Sequence, residues 1–93
     1  SGFTPLHTAA IHGSLATANY LLSKGANANA VGEGNVTPLH LAAANGDAAM
    51  VSLLVARGAT IDAVDNINGY TPLMYAVMVR SIMTQIFKVH YVN

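Results

Sequence analysis

The stretch Thr37-Pro38-Leu39-His40-Leu41-Ala42-Ala43 decides the fold, because nearly the same stretch stands 33 residues earlier as Thr4-Pro5-Leu6-His7-Thr8-Ala9-Ala10. Aligning residues 4–30 with residues 37–63 gives 12 identities in 27 positions. A third copy begins at Thr71-Pro72-Leu73, which is 34 residues after the second. Self-similarity at this period predicts a stack of small, similar helical units.

Each unit carries the signals of two short helices. Thr4 and Thr37 are suitable N-caps, and the proline after each fits the first helical position, where its missing N–H is not needed. A left-handed glycine is expected to end the first helix at Gly13 and Gly46. The predicted second helices begin after a capping Ser or Asp and end at a glycine: Ser14 and Gly25, then Asp47 and Gly58.

Apolar residues recur in both copies at helical spacing, so each helix should bury one face. The predicted buried positions are Leu6, Ala9 and Ala10 on the first helix, Leu15, Ala18, Leu21 and Leu22 on the second, and Ala48, Val51, Leu54 and Val55 in the second copy. Helices of two or three turns are unstable alone and need neighbours to pack against.

The segments between copies, Asn27–Val36 and Thr60–Tyr70, are rich in Asn, Gly and Asp, which is typical of turns and hairpin loops. The second loop is one residue longer, somewhere in Asn66-Ile67-Asn68, and its tip should protrude further.

Together, Thr-Pro-Leu-His-x-Ala-Ala, the glycine in mid-repeat, Leu-Leu and Gly-Ala resemble the ankyrin repeat over about residues 4–76. The resemblance implies an α-solenoid of stacked antiparallel helix pairs with β-hairpin loops. It implies a single domain over residues 1–93, with repeats at about 4–36, 37–70 and 71–93. It also implies a scaffold whose loop tips and first helices bind other proteins, without catalytic activity.

The third copy departs from the pattern after Ala76. Met74 replaces the histidine, and Arg80 stands where the other copies have glycine. We expect a first helix over 72–79 and a degenerate second helix over 81–91, with an extended segment at 89–92 as an alternative. An apolar stripe at helical spacing supports the second helix: Val79, Ile82, Met83, Ile86 and His90. A truncated repeat, a variant cap and a contact surface, including self-association through residues 79–92, remain open.

Composition excludes several classes of function. Four Lys/Arg balance four Asp/Glu, so the chain lacks the basic patch that nucleic-acid binding requires. It has no Cys, which excludes disulfides and thiolate metal sites, and no apolar run approaches the ~20 residues of a membrane span. We expect an intracellular protein, cytoplasmic or nuclear. Charged residues make up only 9% against about 25% in typical domains, and the chain opens directly on a motif, so a fragment of a longer protein is expected.

The histidines and carboxylates do not form a catalytic or metal-binding pattern. His7 and His12 are five residues apart, which does not place them on one helical face. The histidines of the repeated motif are expected to brace the turn by hydrogen bonds to the Thr hydroxyl or nearby backbone. No nucleophile is paired with a base, and the Gly-Glu-Gly at 32–34 lacks the further glycines and lysine of a phosphate loop. We therefore expect no enzyme activity, no cofactor and no metal.

Positions that differ between copies without a structural reason are the candidates for partner binding. They are Thr8, Ile11, His12, Leu41, Ala44, Asn45, Tyr75 and Met78 on the first helices, and Glu33, Asn35, Val36, Asn66, Asn68 and Tyr70 in the loops. Ile11 and Leu41 fit equally well as packing residues. The leading hypothesis is a protein–protein interaction module; the rival is a regulatory or targeting segment within a larger enzyme or channel.

Overall fold

The computed structural model describes residues 2–91, with only the backbone of residues 90 and 91. Within this range the chain forms five α-helices and one short 3₁₀ turn. They are α1 (Pro5–His12), α2 (Leu15–Ser23), the turn Glu33–Asn35, α3 (Pro38–Ala44), α4 (Ala48–Ala56) and α5 (Pro72–Tyr91). Helices α1, α3 and α5 form an inner row, and α2 and α4 an outer row. The predicted α-solenoid is confirmed.

Local sequence signals fix most helix ends. The Thr37 hydroxyl accepts the backbone N–H of His40, while the His40 ring accepts the N–H of Thr37, and Thr4 with His7 repeats this pair. Gly13 is left-handed at φ 67° and ends α1 as predicted. Asp47 accepts the N–H of Met50 at 3.1 Å and caps α4, which confirms its predicted role.

One predicted cap is wrong. Ser14 makes no capping hydrogen bond, although its backbone angles (φ −80°, ψ 80°) are close to those of Asp47 (φ −89°, ψ 89°). The Asp carboxylate reaches one bond further than the Ser hydroxyl, which explains why only Asp47 contacts its helix. Helix α2 therefore starts without the stabilisation of about 1 kcal/mol that a side-chain cap supplies.

The core lies between the two rows. Alanines that are completely buried, among them Ala10, Ala18 and Ala42, allow the helices to approach closely. The larger buried side chains are Leu6, Leu22, Leu39, Met50 and Leu54. The buried face of the outer helices is narrower than predicted: Leu15, Ala48 and Val55 are exposed, and Leu21 and Val51 are half-buried. Among residues 2–91 the outer row has two helices, so each has an outer neighbour on one side there.

The third copy forms one continuous helix of 20 residues, so the prediction of separate helices over 72–79 and 81–91 is wrong. The physical reason is Arg80, a good helix former at the position where a left-handed glycine ends α1. Residues 89–91 are helical, which also excludes the extended alternative there, while Val92 lies outside the described residues. No helix of residues 2–91 combines the length and apolar character needed to cross a bilayer.

The predicted hairpin loops contain no β-strand within residues 2–91. They are tight turns instead, closed by one backbone bond from Gly32 to Val36 at 2.9 Å and one from Asp65 to Tyr70 at 2.9 Å. One backbone hydrogen bond across each loop does not make a β-ladder, which needs several consecutive bonds.

Candidate functional site

Two buried histidines connect the first helix of a repeat to the last residue of the loop that closes it. His7 Nδ1 accepts the Thr4 N–H at 3.0 Å, which leaves the proton on Nε2, and Nε2 donates to the Val36 carbonyl at 2.8 Å. His40 bonds Thr37 at 3.1 Å and the Tyr70 carbonyl at 2.8 Å in the same way. Both imidazoles therefore brace the turn, as predicted, and also fix the residue just before the next capping threonine.

Asp65 organises the second loop. Its side chain is 3% exposed, and its Oδ1 accepts the N–H groups of Asn68 at 3.1 Å and Tyr70 at 2.9 Å. Its Oδ2 accepts the hydroxyl of Tyr75, so this carboxylate joins the loop to α5. These bonds, that of Tyr75 foremost, lower the pKa of Asp65 from 3.8 to about 2. Burial, followed by the bond to Asp65, raises the pKa of Tyr75 from 10.0 to about 12.

The two loops are bonded to each other. Asn66 N–H donates to the Gly34 carbonyl at 2.8 Å, close to both loop tips. Asn29, which the sequence did not single out, donates its amide to the Gly58 carbonyl at 2.9 Å and accepts the Thr60 N–H at 2.7 Å. The loop tips are therefore held in a fixed relation.

The tip of the first loop needs a special backbone. Gly34 (φ 73°) and Asn35 (φ 57°) are both left-handed, a conformation that Gly and Asn adopt at low cost. A Cβ on Gly34 would lie 2.7 Å from Cδ1 of Ile67 in the second loop. Gly34 thus lets the two tips touch, and Ile67 remains 64% exposed above it.

The predicted contact residues fall into three classes of exposure. Ile11, His12, Glu33, Asn35, Asn45, Asn66, Asn68 and Met78 are exposed, whereas Leu41, Ala44, Tyr70 and Tyr75 are half-buried. The prediction that Val36 contacts a partner is wrong. Its side chain is only 6% exposed, because Val36 directly precedes the buried cap Thr37 and its carbonyl is bonded to His7. Its side chain is therefore not available to a partner.

Some candidates also serve the fold. The Asn45 amide donates to the carbonyls of Ile11 at 2.7 Å and Ala10 at 3.3 Å, and so ties the end of α3 to the end of α1. Difference between copies is thus no proof of a contact role. The sequence reasoning missed Ile67, although the extra residue in its loop pointed to a protruding tip.

The exposed groups on this surface suit binding better than a chemical reaction. Amides at Asn35, Asn66 and Asn68 offer both donors and acceptors beside the apolar side chain of Ile67. Among the side chains that the structure describes, no three His, Asp or Glu residues converge as metal ligands. The arrangement can bond the backbone or polar side chains of another chain while burying apolar area.

Comparison with known proteins agrees with this geometry. Residues 6–55, which are more than half of the chain, match the family model described as ankyrin repeats (many copies). The match spans α1 to α4 and stops before α5. No curated protein matches the chain.

Proposed function

The chain belongs to the ankyrin-repeat family, whose members are generally protein–protein interaction modules, and we propose that it binds a partner protein through its two loop tips and inner helices. The observation that carries this proposal is the direct bond between the tips, from Asn66 N–H to the Gly34 carbonyl. Loops that are already ordered lose little conformational entropy on binding, so more of the contact energy appears as affinity.

The proposed surface has apolar anchors within a polar frame. Ile11 (43% exposed), Met78 (38%) and Ile67 (64%) supply the apolar area. The polar frame consists of His12, Glu33, Asn35, Asn45, Asn66, Asn68, Tyr70 and Tyr75, and the half-buried apolar residues Leu41 and Ala44 complete the surface. Apolar anchors surrounded by polar groups are the usual arrangement of a protein interface.

Charge plays a small part in this surface. Glu33 is its single acidic residue, and it contains no Lys or Arg. Recognition then depends on shape and hydrogen bonds, so the affinity for the partner should change little between low and physiological salt.

The test is affinity capture with the immobilised 93-residue chain from a lysate of the cells that express it. We compare the wild type with the double variant Ile67→Asp/Met78→Asp, and with Tyr20→Asp, which alters a residue 62% exposed on the outer helix α2. Proteins held by the wild type and by Tyr20→Asp should be lost from the double variant, with unchanged helical circular dichroism in all three. The same set of bound proteins on all three chains would refute the proposed surface.

A further inference from the structure

Helix α5 continues well past the helix on which it packs. Its stripe Pro72, Tyr75, Ala76 and Val79 is buried or half-buried in the part of α5 that packs on α3. The same spacing continues to Ile82, Met83 and Ile86, which are 52%, 58% and 45% exposed. Seven residues make α3 about 10 Å long, while twenty make α5 about 30 Å long. We call residues 80–89 the overhang.

Helix α4 has an apolar groove beside it. Helix α2 packs on α4, and its Ala18 and Leu22 are only 0% and 9% exposed. The equivalent residues of α4, 33 positions later, are Val51, which is half-buried, and Val55, which is 36% exposed. Together with Ser52, Ile61, Leu73 and others they line a groove of about 520 Å³, which we call the α4 groove. It lies where a third outer helix would pack.

The overhang cannot reach this groove within its own chain while α5 is continuous. Folding back would require a break near Arg80, where the residue type favours the helix. One chain therefore carries an apolar helix face and an apolar groove without joining them. We propose that a second copy of this chain joins them: the overhang of each copy lies in the α4 groove of the other, in a closed two-fold pair. This pairing is independent of the proposed function.

Charge does not oppose this pairing. The residues that line the groove are uncharged. On the overhang, Lys88 lies on the side of the helix opposite to Ile82 and Ile86, so it stays in water when the apolar stripe enters the groove.

The area is also sufficient. A two-fold arrangement uses each pair of surfaces twice, since the same patch of both copies takes part. Two pairings, each placing almost three turns of helix in an apolar groove, bury on the order of 1,500 Å², which is the size of a standard stable interface.

The first test measures mass by size-exclusion chromatography with light scattering, at a chain concentration of about 100 µM, where micromolar pairs are formed. The wild type should show twice the 9.6 kDa of one chain. Ile86→Asp in the overhang and Val55→Asp in the groove should each give the single-chain mass. Their equimolar mixture should give a mean mass above that of either variant alone, because the mixed pair keeps one of the two pairings intact. Val31→Asp, which alters an exposed loop residue, is the matched control and should remain paired.

A second test locates the contact. It uses no Asp variant, so a loss of stability in those variants does not affect it. The chain has no Cys, so Ser52→Cys in the groove and Met83→Cys on the overhang introduce single thiols at exposed positions. Under mild oxidation the mixture should form a disulfide between the two variants. Four results would each overturn the proposal. They are a wild type of single-chain mass, a Val55→Asp variant that stays paired, species larger than two chains, and cross-linking of Met83→Cys only to itself.

Discussion

His40 places its Nε2 2.8 Å from the carbonyl oxygen of Tyr70, and this bond fastens α3 to the last residue of the second loop, directly before the third copy begins. His7 does the same to Val36 one repeat earlier. The third copy has Met74 at the equivalent position, and its side chain is 47% exposed. The histidine bonds therefore end where the regular repeat ends, at α5.

Replacing His40 with Ala should lower the free energy of unfolding by about 1–3 kcal/mol, because the buried Thr37 N–H loses its partner. The Tyr70 carbonyl loses one of its two bonds and keeps the one from the Asp65 N–H. Urea denaturation followed by circular dichroism measures the change. The matched control is His12→Ala, since His12 is exposed and bonds only the Thr8 carbonyl at 3.0 Å. We expect less than about 0.5 kcal/mol there. Equal losses in the two variants would contradict the role of His40.

The sequence predicted only the local half of each histidine network, the bonds to the capping Thr three residues before the ring. The bonds to the distant carbonyls of Val36 and Tyr70 were not predicted. The pairing of Asp65 with Tyr75 was not predictable in the same way. The two residues are ten apart, in a loop and a helix, and meet only when α5 packs on α3. The continuous α5 was missed because a family pattern was carried over a position, Arg80, whose residue type contradicts it.

Leu54 and Leu21 occupy equivalent positions but not equivalent environments. Leu54→Ala should cost about 2–5 kcal/mol of unfolding free energy, because the side chain is fully buried and leaves a cavity. Leu21 is only half-buried, so Leu21→Ala should cost clearly less. Urea midpoints of the two variants provide the comparison, and a smaller loss for Leu54→Ala would mean that the stacking of α4 is described wrongly.

The candidate surface was predicted less well than the fold. Differences between copies drew attention to Val36, which is buried, because variation does not report exposure. Ile67 was passed over because a loop residue without an equivalent in the other copy has nothing to be compared with. The exposure of a loop side chain depends on how the two loops pack against each other. The hydrogen bond from Asn66 N–H to the Gly34 carbonyl holds them together, and because it joins backbone groups, no residue type predicts it.

Stability should depend on pH at both extremes through Asp65 and Tyr75. The pKa of Asp65 is about 2 in the folded chain and 3.8 in the unfolded chain. Between these values the unfolded chain binds more protons, so stability falls as pH drops from about 4 to 2. The folded pKa of Tyr75 is about 12 against 10.0, so its contribution is present below pH 10 and is lost as pH rises towards 12. Urea midpoints across both windows measure these slopes.

Two variants separate the contributions to this pH dependence. Asp65→Asn should flatten the acid slope, and Tyr75→Phe should flatten the alkaline slope, because each removes the group that titrates. An Asp65→Asn chain with the acid slope of the wild type would show that other carboxylates cause it.

Introducing glycine at position 80, where the other copies have one, should break α5 in two. Glycine inside a helix costs about 1 kcal/mol relative to alanine, and here it also supplies the left-handed residue that ends α1 at Gly13. Arg80→Gly should therefore speed amide hydrogen exchange at residues 81–89, while the matched control Arg80→Ala keeps the exchange of the wild type. The break also lets the overhang turn back onto the α4 groove of its own copy, so Arg80→Gly should shift the chain from pairs towards single copies. Equal exchange in the Gly and Ala variants would show that the continuity of α5 does not depend on the residue at 80.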